Sequence, residues 1–304
     1  MSRSERGGSD AGQLEDSLEA ETKSLMRRYG IRPRRSLGQN FLVDGSVLGC
    51  ILESAELSKG DVVVEIGPGL GVLTRELAKN AKLVIAIEVD RNLYEILRAE
   101  TAQLDNVVLL NEDVLKVDFP ELLRAQGVSK GEVKVAANLP YNITTAVLVK
   151  LIKHRDLFDR AVVMVQKEVA ERIAAGPGSK TYGSLSVFVQ WHANVRLVKV
   201  VPPQSFIPAP KVHSAVLCID FLGKPRAHID PNLFEVVVNS AFSMRRKILK
   251  NALRSLPGLD ERSLDLLFSL SGIDPSLRAE MLSIQDFAAL AREYARLRQQ
   301  KTTG

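Results

Sequence analysis

The chain has little cysteine: only two in 304 residues, Cys50 and Cys218, isolated from one another. That excludes a disulfide framework and any cysteine-rich metal spacing, and both side chains read as small buried apolar groups. It lacks any apolar stretch near the roughly 20 residues that a bilayer span needs, so no transmembrane helix is expected. The opening residues, MSRSERGGSDAGQ, contain no apolar block; no secretory signal is expected, and a cytoplasmic setting fits. Four histidines, His154, His192, His213 and His228, form no pairing with a nucleophile and no metal set, so no metal is expected. The single tryptophan, Trp191, lies on an apolar helical stretch and is placed in the core.

What is present is the composition of a soluble globular protein, 45% hydrophobic and 25% charged. Its length suggests about two domains at roughly 150 residues each. The net charge is +5, yet residues 1–24 carry six acidic and three basic side chains, so the remaining body is more basic than the total implies. A basic body suits a polyanionic partner such as RNA.

Residues 1–24 are expected to form a disordered extension, the first dozen being rich in Ser, Gly and charge. Leu14, Leu18, Leu25 and Tyr29 nevertheless recur at roughly helical spacing, with Gly30 and Pro33 as a stop. A basic loop, IRPRRSLGQNF, then leads into a helix that Asp44 is placed to cap. From residue 61 short β-branched runs alternate with helical stretches. DVVVEIG, KLVIAIEVD, NVVLLNED, VKVAANLP and RAVVMVQ read as five strands, and continuous apolar strands separated by helices predict a parallel sheet covered on both faces. SLSVFVQWHA reads as a helix, and two further strands around a proline-rich loop at 194–221 read as an antiparallel closing pair. Past residue 223 only helical patterns remain, NLFEVVVNSAFSMRRKILKNAL being one of them. The expectation is an α/β domain over 25–222 and an all-helical domain over 223–304.

EIGPGLG, Glu65 to Gly71, sits between a strand and a helix, where a glycine turn can hold a nucleotide. Gly67, Gly69 and Gly71 alternate, with Pro68 between the first two, which departs from the G-x-G-x-x-G that places a pyrophosphate on a helix end. Polar residues close successive strands: Glu88 the second, Asp113 the third and Asn138 the fourth. A carboxylate at the second position suits two ribose hydroxyls, and one at the third suits an adenine amine. This pattern resembles the Rossmann-like methyltransferases that use S-adenosylmethionine, a cofactor without phosphates.

At NLPY, residues 138–141, an amide, a proline and a phenol meet where a strand ends. Methylating an aromatic amine is difficult because its lone pair is delocalised into the ring. Acceptors placed on the two N–H hydrogens help, and the Asn138 oxygen is one; a backbone carbonyl at Leu139 or at Pro140 is the other. Pro140 stiffens the corner, and Tyr141 offers a face on which a flipped-out base can stack.

RRSLGQNFLVD, VVEIGPGLGVLT, IEVD, NEDVLKVD, NLPYNITT, FIPAPKVHSAV and FSMRRKILKN occur in this order across residues 25–295. Together they resemble the ribosomal RNA adenine dimethyltransferases, most closely the bacterial small-subunit, kasugamycin-sensitivity type. The resemblance implies dimethylation of two adjacent adenosines near the 3′ end of small-subunit RNA, with S-adenosylmethionine as cofactor and a maturing small subunit (pre-30S particle) as partner. Nothing in the chain suggests an obligate dimer. It also implies cofactor contacts at Asn40, Leu42, Gly67, Gly69, Glu88, Asp113 and Asn138. The target-base site falls on Asn138, Leu139, Pro140 and Tyr141, with Phe206 as a second stacking ring. Compared with the acid-Pro-Pro-aromatic corner of other amino-methyltransferases, Asn replaces the acid and Leu the first proline, as is normal for the dimethylating family. The macrolide-resistance branch, acting on large-subunit RNA, and a non-catalytic assembly protein are the alternatives.

RNA contacts are expected from the charge pattern. Arg32, Arg34 and Arg35 precede the cofactor loop, and Lys211 lies in the proline-rich loop. Lys247, Lys250 and Arg254 fall at i, i+3 and i+7 of one helix, with Arg245 and Arg246 beside them.

Overall fold

A computed structural model describes residues 9–34, 37–128, 133–224, 226 and 229–302, with side chains described between 18 and 300. The chain divides into two compact units, Met1–Ala170 with Arg196–Phe221, and Glu171–Val195 with Leu222–Gly304.

In the first unit, α1 (Ser9–Arg28) precedes a two-residue strand β1 (Phe41–Leu42) and α2 (Gly45–Ala55). The expected alternation follows: β2 (Val62–Ile66), α3 (Val72–Asn80), β3 (Leu83–Ile87), α4 (Arg91–Glu100), β4 (Val107–Leu110), α5 (Phe119–Ala125), β5 (Val133–Asn138), α6 (Thr144–Lys153) and β6 (Phe158–Gln166). After α7 (Lys167–Ala174) and α8 (Ser184–His192) come β7 (Ala193–Val201), β8 (Phe206–Ile207) and β9 (Ser214–Phe221). Seven strands form one sheet in the order β4-β3-β2-β5-β6-β9-β7. Strands β2 to β6 run parallel, whereas β9 pairs antiparallel with β6, Val163 facing Leu217.

Burial explains the sheet. Every residue of β2 is buried, and Val63, Val64, Ile85, Val135 and Val163 are fully inaccessible. Helices cover both faces, so a solvent-facing alternation is not needed. Each such aliphatic side chain contributes about 1.5–3 kcal/mol. The strand order reverses between β2 and β5, so the loops leaving these strands diverge and open a crevice at their carboxyl ends. Asp44 caps α2 as expected, accepting from the Ser46 and Val47 amides at 3.0 and 3.2 Å.

The extension is more ordered than expected. Residues 1–8 lie outside the described residues, but α1 begins at Ser9, and Leu18, Thr22 and Leu25 are buried at 7%, 0% and 3% exposure. These positions are spaced i, i+4, i+7, one face of a helix; on it Leu18 joins a cluster with apolar side chains of α2 and α3, and Leu25 one with Phe41, Leu70 and Leu93. Of the cysteines, Cys218 is buried and Cys50 only half-buried.

The second unit is helical: α9 (Pro231–Phe242), α10 (Leu249–Leu253), α11 (Glu261–Ser271) and α12 (Ile284–Thr302). It also holds α8 and the segment before it, which sequence reading placed with the sheet. The reason is packing: Tyr182, Val187 and Trp191 share a core with Phe234, Phe287 and Tyr294. Trp191 is buried as expected and stacks on Phe234 with ring centroids 3.7 Å apart. The single helix expected over 232–253 is interrupted at 243–248. The Ser243 hydroxyl bonds back to the Ser240 carbonyl, and the first amides of α10, Leu249 and Lys250, donate to the carbonyls of Leu277 and Pro275. Lys247 therefore does not share a helix face with Lys250 and Arg254. No described helix is long and apolar enough to cross a membrane.

Candidate active site

The crevice between β2 and β5 holds a cavity lined by the glycine turn, the ends of β3, β4 and β5, and residues 37–42. The turn needs glycine at Gly67 and Gly69, whose φ angles of +69° and +60° are left-handed. The Gly67 amide donates to the Ile87 carbonyl at 3.0 Å, which ties the turn to β3.

Glu88, 5% exposed, stands just past β3. Its two oxygens accept one backbone N–H each, from Gly69 at 3.2 Å and Asp90 at 2.8 Å, and both keep lone pairs for a ligand's hydroxyls. Burial pushes its pKa up to about 7 despite those amides. Glu65, inside β2, is pushed up to about 8 by burial, with the Glu88 charge adding to it. Its Oε2 has no hydrogen-bond partner among the described residues.

Asp113 follows β4, its Oδ1 accepting the Leu115 amide at 2.9 Å. The loop it heads is gripped by Lys150 of α6, whose ammonium donates to the carbonyls of Leu115 at 2.8 Å and Val117 at 2.6 Å and lies 5.3 Å from the Phe119 ring centre. Four acidic side chains line the cavity, Glu65, Glu88, Glu112 and Asp113, and among the described residues no lysine or arginine does. A lining with acidic groups and no cation beside them disfavours a pyrophosphate and suits a ligand carrying a sulfonium and an ammonium. The donors, acceptors and apolar walls of Phe41 and Leu70 fit S-adenosylmethionine.

At the end of β5 the Asn138 Nδ2 donates to the Asn40 carbonyl at 3.0 Å, which orients the amide and leaves Oδ1 without a partner among the described residues. Leu139 is buried, its amide bonded to the Met164 carbonyl at 3.0 Å. The Pro140 carbonyl accepts the Ile143 amide at 3.2 Å and the Thr144 hydroxyl at 3.1 Å, starting α6. Tyr141 is half-buried on the cavity wall, its hydroxyl 2.6 Å from Ser214 Oγ, and burial raises its pKa. Asn40, Leu42, Gly67, Gly69, Glu88, Asp113 and Asn138 all line the one cavity with Leu139, Pro140 and Tyr141. Phe206 does not. It is 3% exposed, opposite Leu42 in the β1–β8 pair, and packs in the core beneath the cavity wall.

The basic residues are less uniform. Arg32, Lys211, Arg246 and Lys247 are exposed. Arg34 pairs with Asp90 at 3.4 Å, and Arg35 lies outside the described residues. Arg245 donates to the carbonyls of Lys180 and Tyr182. Lys250 bonds Asp265 at 2.5 Å, and Arg254 bonds Glu261 at 2.9 Å, so both spend their charge within the helical unit. Sequence reading assigned no role to Glu65, Glu112, Lys150 or Ser214. Only Glu65 carries a local signal, a carboxylate inside an otherwise apolar strand.

A family model described as ribosomal RNA adenine dimethylase matches residues 30–296. The ribosomal RNA small subunit methyltransferase A of Clostridium botulinum (strain Langeland) is 46% identical over 271 residues, 89% of this chain and 97% of that protein. Its namesake in Clostridium acetobutylicum is 44% identical over 279 residues, 91% of this chain and 99% of the relative. Among solved structures, a dimethyladenosine transferase from Plasmodium falciparum superimposes with a TM-score of 0.74 at 27% identity, covering 84% of this chain and 98% of the other. The 23S rRNA methyltransferase ErmE gives 0.65 at 25% identity, covering 84% and 99%. A match spanning both units and every residue of the cavity leaves one assignment: the chain belongs to the ribosomal RNA adenine dimethylase family.

Proposed function

We propose that the cavity brings S-adenosylmethionine and an extruded adenine of small-subunit ribosomal RNA together, and that Asn138 and Leu139 hold the amine that is methylated. The enzyme is an S-adenosylmethionine-dependent dimethyltransferase of 16S ribosomal RNA adenines. Its targets are two adjacent adenosines near the 3′ end, and it works as a monomer on a maturing small-subunit particle in the cytoplasm. The small-subunit names of relatives 44–46% identical favour this over the large-subunit reaction.

Glu88 holds the ribose hydroxyls, Asp113 the adenine amine, and Asn40, Leu42 and the glycine turn the rest of the cofactor. The bound cofactor supplies an electrophilic methyl carbon on a sulfonium. The orientation of the Asn138 amide carries the reading of the acceptor side. With Nδ2 committed to Asn40, Oδ1 is the atom left to accept one N–H of the target amine. The second N–H goes to the Leu139 carbonyl, because the Pro140 carbonyl already accepts two bonds in the corner. Two fixed acceptors draw the amine out of conjugation and aim its lone pair. The Tyr141 ring carries the base, worth roughly 1–3 kcal/mol, and Ser214 fixes its tilt. No general base is needed beforehand, since the amine becomes acidic once methylated. Phe206 joins as a second platform only by leaving its buried position.

Asn138→Ala is expected to lower kcat by on the order of 100-fold or more, as loss of a preorganised polar contact does. The assay incubates undermethylated small and large subunits separately with labelled cofactor and maps the modified nucleotides. Wild-type-like transfer by the variant refutes the role of Asn138; label in the large subunit alone refutes the substrate.

A further inference from the structure

We infer that Arg75 is a positioning residue for the cofactor, acting by joining the N-terminal helix α1 to the glycine turn. This rests on reading the cavity as the cofactor site. Arg75 lies in α3, one turn past the glycines. Its Nη1 donates to the Leu70 carbonyl at 3.2 Å, and its Nη2 bonds the Glu21 carboxylate of α1. The guanidinium is packed against the turn itself: a Cβ on Gly71 would lie 3.3 Å from Nη1 and 2.5 Å from Leu97 Cδ1.

The rest of α1 reinforces the same place. Leu25, 3% exposed, clusters with Phe41, Leu70 and Leu93, and those three line the cavity. Arg28 and Tyr29 bond Glu100 at the end of α4, at 3.1 and 2.6 Å. Helix α1 thus backs the cavity wall without entering it. A turn with three left-handed glycines in five residues has many accessible conformations when nothing holds it. Arg75 fixes the Leu70 carbonyl, between the last two of these glycines, from outside, so the turn is already shaped when the cofactor arrives. An ordering cost removed beforehand appears as binding affinity and leaves the chemical step alone.

The test uses the full chain. Cofactor Kd is measured by titration calorimetry, KM and kcat on undermethylated small subunits, and the melting midpoint with and without cofactor. Arg75→Met and Glu21→Ala are expected to raise Kd and KM for the cofactor by about tenfold, with kcat at saturation close to wild type. Arg75→Lys, which keeps one donor for Leu70, recovers part of the affinity. A lowered melting midpoint with unchanged Kd, in Arg75→Met or in Arg75→Lys, makes the residue structural only and overturns the inference. Glu88→Gln separates the two readings. If it binds cofactor normally, the cofactor lies elsewhere and the site reading fails; if it loses affinity while Arg75→Met does not, only the role of Arg75 fails.

Discussion

Cofactor affinity should rise steeply with pH around neutrality, and the reason lies in Glu88. In the proposed site the form that would accept two ribose hydroxyls is the carboxylate, yet burial holds this acid at a pKa of about 7 in the ligand-free protein. About a tenth of the molecules therefore carry the ionised group at pH 6 and about nine-tenths at pH 8. If only that form binds, the association constant rises about tenfold over the interval, with about half a proton released per cofactor at pH 7. Titration calorimetry at pH 6, 7 and 8, in buffers of differing ionisation enthalpy, reads both the affinity and the proton count. Glu88→Gln should bind weakly at pH 8 with a flatter profile; because the cofactor's own amine titrates equally in both proteins, the difference isolates the carboxyl. Equal affinity at pH 6 and 8 in the wild type, with no proton released, refutes the reasoning.

Two further outcomes concern stability and RNA. The raised pKa of Glu65 means that the folded ligand-free protein favours its neutral form; that contribution is complete below the unfolded value near 4.5 and is lost as pH rises through about 8. Glu65→Gln should therefore raise the melting midpoint by more at pH 9 than at pH 6, with a difference on the order of 5 °C in thermal scans without cofactor. Arg246→Gln with Lys247→Gln removes two exposed cations and should weaken RNA binding with a shallower salt dependence, each lost phosphate contact reducing the slope by about 0.7–0.9. Lys250→Gln, which removes a cation already paired with Asp265, should leave that slope unchanged in binding titrations from low to moderate salt.

Much of the scaffold was legible because it rests on local pattern. Val62–Val64 and Leu83–Ile87 are apolar runs rich in β-branched residues, with a glycine turn or an acid at their ends, and they are strands for that reason. Glu88, Asp113 and Asn138 come to one cavity because parallel strands with right-handed crossovers bring all carboxyl ends to one edge. What was not legible depends on partners distant in sequence. The break at 243–248 has no proline or glycine; it exists because the amides of Leu249 and Lys250 find the carbonyls of Leu277 and Pro275. Arg34 reads as a free cation until Asp90 is seen beside it. The helical spacing of Leu18 and Leu25 was legible in α1, but the burial of that face was not, because it depends on a complementary surface and the charge-rich composition points to disorder.

Helix α6 has a consequence for the alignment of the two reactants. Its first turn is pinned by the Pro140 carbonyl of the corner that presents Asn138 and Tyr141, and Lys150, under two turns further along, grips the segment headed by Asp113. The proposed acceptor and donor subsites are thus mounted on a single stiff rod. A small sideways displacement of that rod carries both along, so their registry survives thermal motion that would separate sites borne on independent loops.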